Sequence, residues 1–191
     1  MSRQAMTRMF VAVVPPEEVV EDLEAFLSAR REAASFRWSA TEQWHVTLAF
    51  AGSVPERALD GLDELLALAA ERRTSFGMRV TGGGAFPHPD AARVLWSGLE
   101  VDDEAGLDGL AASCRAAMSR AGARVDGQRF HPHLTLGRLG RPANVTSWVR
   151  LLDAYEGPRW QVDEVALVAS YLGEGARRRP RHEVVRTYAL G

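Results

Sequence analysis

The sequence predicts one domain in which helices pack on mixed β-sheets, an α+β or α/β arrangement. Three observations predict it. The length, 191 residues, is about one domain's worth. The composition, 46% hydrophobic and 25% charged with a net charge of −2, is that of a chain that buries a core without disulfide staples. The apolar pattern switches repeatedly between a period of two and the helical period.

The elements follow in order. Residues 8–14 form an apolar run that reads as a buried strand, and Pro15-Pro16-Glu17-Glu18 opens a helix with proline and acid in its first turn. Val19, Val20, Leu23, Phe26 and Leu27 give that helix one packing face. Phe36 to Ser39 is a short strand, and Trp44 to Phe50 alternates as a strand should. Gly52 to Glu56 reads as a turn into a second helix, striped by Leu59, Leu62, Leu65, Leu66 and Ala69. A strand over 76–86 is loosened by Gly82, Gly83 and Gly84, which suggest a bulge or bend. Arg93 to Leu99 is another strand. A helix over 103–121 follows, with Leu107, Leu110, Cys114 and Ala117 on one face. Strands near 129–137, 160–170 and 183–190, and a short helix near 145–154, complete the chain. The expectation is a single domain over 1–191.

Composition also removes chemistry. All 23 basic residues are arginine, and no lysine occurs. A P-loop needs its lysine on the phosphates. Pyridoxal-phosphate enzymes and Schiff-base aldolases need a lysine amine. Ligases that carry AMP on lysine are excluded in the same way. One cysteine, Cys114, excludes an internal disulfide framework and a cysteine-based zinc cluster. No apolar run reaches the 18 or so residues of a membrane span, and the N-terminus has no signal-peptide pattern. The expected location is cytoplasmic.

One short pattern occurs twice. His45-Val46-Thr47-Leu48 reappears 88 residues later as His133-Leu134-Thr135-Leu136. With this composition, shuffling produces two such tetrads about once in five thousand draws, so the repeat is not incidental. Side chains alternate across a strand, so His45 and Thr47 share one face while Val46 and Leu48 take the other. The second motif divides likewise. If a pseudo-twofold axis relates the halves, two imidazoles and two hydroxyls converge on one groove.

A lone histidine on a strand is more often a structural hydrogen-bonder; a matched pair points to chemistry. An unperturbed imidazole titrates near pH 6.5, so one can accept a proton from water while the other donates to a leaving oxygen. Threonine hydroxyls can donate to anionic oxygens. The set fits phosphodiester hydrolysis without a metal. His131-Pro132-His133 resembles half of a zinc site, but no carboxylate or cysteine cluster accompanies it in the sequence. His88, between two prolines, reads as a loop residue and Cys114 as core.

These residues resemble the two-histidine phosphoesterases (the HXTX pattern), and within them the RNA 2′,3′-cyclic phosphodiesterases, also called 2′-5′ RNA ligases. The resemblance runs from Arg8-Met9-Phe10-Val11-Ala12 through Trp44 to Phe50, Gly84-Ala85-Phe86-Pro87, Val94 to Leu99, Phe130 to Arg138, and Leu167 to Ser170. It implies a bilobal α+β fold with two pseudo-symmetric mixed or antiparallel sheets, flanked by helices, around a central cleft. It implies hydrolysis of an RNA 2′,3′-cyclic phosphate to a 2′-phosphate with no cofactor. His45 matches the proton donor, His133 the base that activates water, and Thr47 and Thr135 the phosphate-holding hydroxyls. Arg138 matches an arginine often seen after the second motif. Strict alternation points Arg138 away from His133 and Thr135 unless the strand bulges near Gly137. Two departures stand out. Ala51 replaces a larger apolar residue, and the segment Arg177 to His182 is unusually basic and lacks a tyrosine.

A net charge of −2 argues against extensive backbone binding. The implied partner is an RNA end with a 2′,3′-cyclic phosphate, tRNA fragments included, or a cyclic nucleotide, taken by a monomer with no membrane involved. Arg129, Arg138 and Arg141, and Arg177, Arg178, Arg179 and Arg181, are candidate phosphate contacts. Phe10 or a tryptophan is a candidate platform for a base. The alternatives are ATP-independent 2′-5′ ligation, turnover of a small cyclic nucleotide, and RNA-end binding without turnover.

Overall fold

The computed structural model describes residues 6–175 and 179–191. Among them the order is β1 (Met6–Val13), α1 (Glu17–Ser28), β2 (Arg37–Trp38), β3 (Val46–Pro55), α2 (Leu59–Glu71), β4 (Phe76–Phe86) and β5 (Ala92–Val101). There follow α3 (Glu104–Arg120), β6 (Arg124–Val125), β7 (Leu134–Ala143), α4 (Thr146–Asp153), β8 (Trp160–Val162), β9 (Glu164–Tyr171) and β10 (Arg181–Ala189).

The strands join in the order β10-β9-β1-β3-β7-β5-β4-β8, with β6 added to β3 and β2 to β7. Every pair is antiparallel. The two central strands touch through a single pair, Val46 with Leu134. Beyond that pair each recruits its own short partner, so the sheet divides into two five-stranded halves. The halves are related by the repeat. β3 and β7 begin 88 residues apart, and each pairs outward with the strand that opens its half of the chain, β1 or β5.

The helices exchange between halves. α3 packs on β3 and against α2, while α4 packs on β4. α1, although it follows β1, reaches Tyr155 after α4. Phe26 lies 4.7 Å from that ring, and Asp22 accepts a 2.7 Å bond from its hydroxyl. The predicted inward positions are inward. Val46, Leu134 and Leu136 are fully buried and Leu48 nearly so, each contributing about 1.5–3 kcal/mol by leaving water. Cys114 is core and His88 is exposed, as expected.

Three boundaries differ from expectation. β3 does not turn at Gly52 but runs to Pro55, because β1 and β6 supply partners for that stretch of backbone. The strand expected near 129–137 starts only at Leu134, after Pro132, which has no N–H to donate, and continues to Ala143. The run 160–170 is two strands, β8 on β4 in one half and β9 on β1 in the other. The glycine triplet is the expected bulge. Val80 pairs with Leu99 but Gly83 with Ser97, and Gly82 takes up the slack at φ +72°.

Candidate active site

The Val46–Leu134 pair is the centre of the site. One step further along both antiparallel strands, the register sets His45 across from Thr135 and Thr47 across from His133. Both histidines, at the threshold of their strands, are held alike. His45 Nδ1 lies 2.7 Å from the carbonyl oxygen of Gln43, and His133 Nδ1 lies 2.7 Å from that of His131. A carbonyl can only accept, so each Nδ1 carries hydrogen and each Nε2 is left as the free nitrogen. The same local turn occurs twice, 88 residues apart. It leaves two equivalent basic nitrogens on one side of the sheet, beside the half-buried Thr47 and Thr135.

Bulges shape the flanks. On β3, Thr47 pairs with Ala12 but Ala49 with Val11, so Leu48 is an extra residue. On β7, Thr135 pairs with Trp96 but Gly137 with Leu95, so Leu136 is an extra residue. Each bulge flips the alternation that follows. Arg138 is therefore exposed on the face of Thr135, while Leu139 returns to the core. Arg138 is thus put by the bulge next to Gly137 on the same side of the sheet as Thr135. Its charge lowers the proton affinity of both His45 and His133.

The histidines have unlike surroundings. His45 stacks on Phe10, with ring centroids 4.5 Å apart, and His182 meets it edge-on at 5.5 Å. Burial lowers the His45 pKa to about 4, against the opposing Gln43 bond, with His182, His133 and Arg138 adding positive charge nearby. His133 meets Phe86 edge-on at 5.0 Å and is also lowered, chiefly by burial and then by His131 and Arg138. Trp96 lies 4.9 Å from His131 and 5.9 Å from His133. Beside Thr47 a hollow of about 100 Å³ is lined by Phe50, Phe130 and His131 among others. Larger hollows, such as one of about 400 Å³ between α2 and β10, lie apart from the histidines.

Two sequence expectations change. Arg181 is spoken for: it pairs with Glu174 and Glu183 and covers the Tyr171 ring. Arg177 and Arg178 lie outside the described residues. Phe10, at 4% exposure, is occupied by His45 and His182 and offers no free face for a base. Two neighbours were missed. His182 reaches His45 through the register of β10 on β9 and of β9 on β1, and nothing in local spacing signals that. Arg37 reaches Arg138 through the pairing of β2 with β7.

No group of three or more histidine, cysteine or acidic side chains able to hold a metal ion occurs among the described residues. Nor is any helix there long and apolar enough to cross a membrane.

The model of the 2′-5′ RNA ligase superfamily matches residues 14–174. The chain belongs to this family. An RNA 2′,3′-cyclic phosphodiesterase from Geobacillus stearothermophilus is 32% identical over 130 residues, 68% of this chain and 41% of that protein. The chain thus spans under half the length of that relative. The enzyme of the same description from Thermus thermophilus is 33% identical over 171 residues, 86% of this chain and 82% of its own. The Escherichia coli protein LigT, solved in apo form, superposes with a TM-score of 0.77 at 26% identity. It covers 98% of this chain and 99% of its own. The antiparallel sheet and its four helices described above are thus an arrangement shared with LigT.

Proposed function

We propose that the protein hydrolyses RNA 2′,3′-cyclic phosphate ends to 2′-phosphomonoesters by acid–base catalysis between His45 and His133. One observation carries this reading. Two imidazoles are held by identical 2.7 Å backbone bonds on two strands joined at Val46–Leu134, each with Nε2 free. The relatives' descriptions supply the substrate class.

The reaction balances with these groups alone. His133 Nε2 takes a proton from water as its oxygen bonds to phosphorus. The bond from phosphorus to O3′ breaks, and O3′ receives the proton held on His45 Nε2. A 2′-phosphate and a 3′-hydroxyl result, with one water consumed. Thr47 and Thr135 donate to the non-bridging oxygens, and Arg138 adds positive charge. In the empty site burial keeps both imidazoles short of protons. An arriving phosphate anion supplies the counter-charge that lets His45 load one. All of these groups come from a single chain, so a monomer suffices. With a 5′-hydroxyl in place of water, the same groups would join it to the phosphorus as O3′ leaves, giving a 2′-5′ bond. Water is the more abundant nucleophile, so hydrolysis dominates.

The test is product analysis on an oligonucleotide ending in a 2′,3′-cyclic phosphate, without nucleotide or added metal. A 2′-phosphate product supports the reading. A 3′-phosphate product, or full turnover by His133→Ala, overturns it.

A further inference from the structure

The two halves of the cleft are alike in backbone and unlike in charge. Arg37 and Arg138 sit directly opposite each other on β2 and β7. Opposed residues of an antiparallel pair point to the same side of the sheet. The Leu136 bulge makes that side the Thr135 side for Arg138, so Arg37 shares it. Like charges directly opposed destabilise a sheet. Neither guanidinium is paired with a carboxylate among the described residues, whereas Arg31, Arg79, Arg159, Arg181 and Arg186 all are. The crowding is felt: Arg138 is shifted below the usual arginine value by burial first, then by the charges of Arg37 and Arg8. At the places related by the 88-residue offset stand Val125 and Phe50, so the other half of the cleft has no opposed pair there, but the single guanidinium of Arg8, 4.6 Å over the Phe50 ring.

An uncompensated pair of guanidiniums on a cleft face is a phosphate site by chemistry. Thr47 and Thr135 already serve the reacting phosphate in the function proposed above, on which this inference rests. Arg138 lies about two ladder steps beyond Thr135, roughly 7 Å along the strand. A 3′-terminal cyclic phosphate has one neighbouring phosphate, the internucleotide link on its 5′ side. We propose that Arg37 binds that internucleotide phosphate, with the Arg138 charge shared between it and the reacting phosphate, so that the cleft selects an RNA strand over a lone cyclic nucleotide. The asymmetry also sets polarity: the strand leaves the site over β2 and β7.

The experiment compares kcat/KM for a 2′,3′-cyclic mononucleotide and for a dinucleotide ending in the same cyclic phosphate. Wild type and Arg37→Gln are used, with Arg37→Lys as the charge-retaining control. The wild type is expected to favour the dinucleotide, and Arg37→Gln to cut that preference about tenfold. Its dinucleotide KM should also lose about 0.7 of salt slope on a log–log plot. Arg37→Lys should keep part of the preference and most of the slope. An unchanged ratio in Arg37→Gln, or an equal loss on both substrates, overturns the inference and leaves the proposed function standing. Absence of wild-type turnover on both substrates defeats the proposed function itself.

Discussion

The ring of Phe10 lies almost parallel to that of His45, with centroids 4.5 Å apart and planes 24° from each other. The second histidine has no such cover: Phe86 meets His133 edge-on, at 85°. A site whose backbone is twofold in pattern thus gives its two imidazoles different environments. Burial lowers the pKa of both rings, that of His45 to about 4.

Removing either imidazole tests the pair. His45→Ala and His133→Ala are each expected to lower kcat by about 10²–10⁴, the usual worth of a positioned proton carrier. Thermal unfolding should stay close to wild type, because both residues are only half-buried at the cleft. Turnover within threefold of wild type in either variant would remove that histidine from the reaction.

The threonines should matter through their hydroxyls. Thr47→Val and Thr135→Val keep shape and remove a donor. Each is expected to cost about 1.5–3 kcal/mol of transition-state stabilisation, the worth of a hydrogen bond to a charged group. Steady-state kinetics of the two variants measures this. Equal activity of both valine variants and wild type would show that the phosphate is held elsewhere.

The pH profile follows from the depressed histidines. In the free protein both titrate below the ordinary 6.5, His45 near 4. The bell for kcat/KM, which reports the free enzyme, is therefore expected to centre on the acid side of neutrality. The bell for kcat should lie higher, because bound phosphate raises both values. The apparent constants belong to the pair. A kcat/KM maximum above pH 8 would contradict this arrangement.

The same depression links stability to pH. Unfolding restores His45 to about 6.5, so between pH 6.5 and 4 the unfolded chain binds the extra proton. The contribution is fully present above pH 6.5 and is lost as pH falls toward 4. It is on the order of 3 kcal/mol. Urea midpoints at pH 7 and pH 4.5 should fall less in His45→Gln than in wild type.

Gly84 offers a test of the wall behind His133. A Cβ there would come within 2.1 Å of the Trp96 indole, which neighbours His131 and His133. Gly84→Ala is expected to displace Trp96 and lower kcat at least tenfold. Gly82→Ala should instead cost about 1 kcal/mol of stability through its positive φ, with little effect on turnover. Measuring kcat and unfolding midpoints for both variants separates the two effects.

Much was legible in the sequence because it is local. Alternation placed Val46, Leu48, Leu134 and Leu136 in the core, and the repeated tetrad marked both histidines and both threonines. What depended on partner strands was not. The extra residues at Leu48 and Leu136 are visible only against β1 and β5, and they decide that Arg138 faces the cleft. The role of Phe10 as the cover of His45, the approach of His182, and the meeting of Arg37 with Arg138 all depend on registers between segments far apart in the chain.

The sequence by itself determined the kinds of element, the faces of the two central strands and the chemistry they carry. Side-chain alternation and composition are properties of neighbouring residues. The tertiary structure alone decided where alternation breaks and which cations flank the imidazoles. It also decided how deeply each ring is buried. Pairing register is set by the whole sheet, and one inserted residue reverses every side chain beyond it.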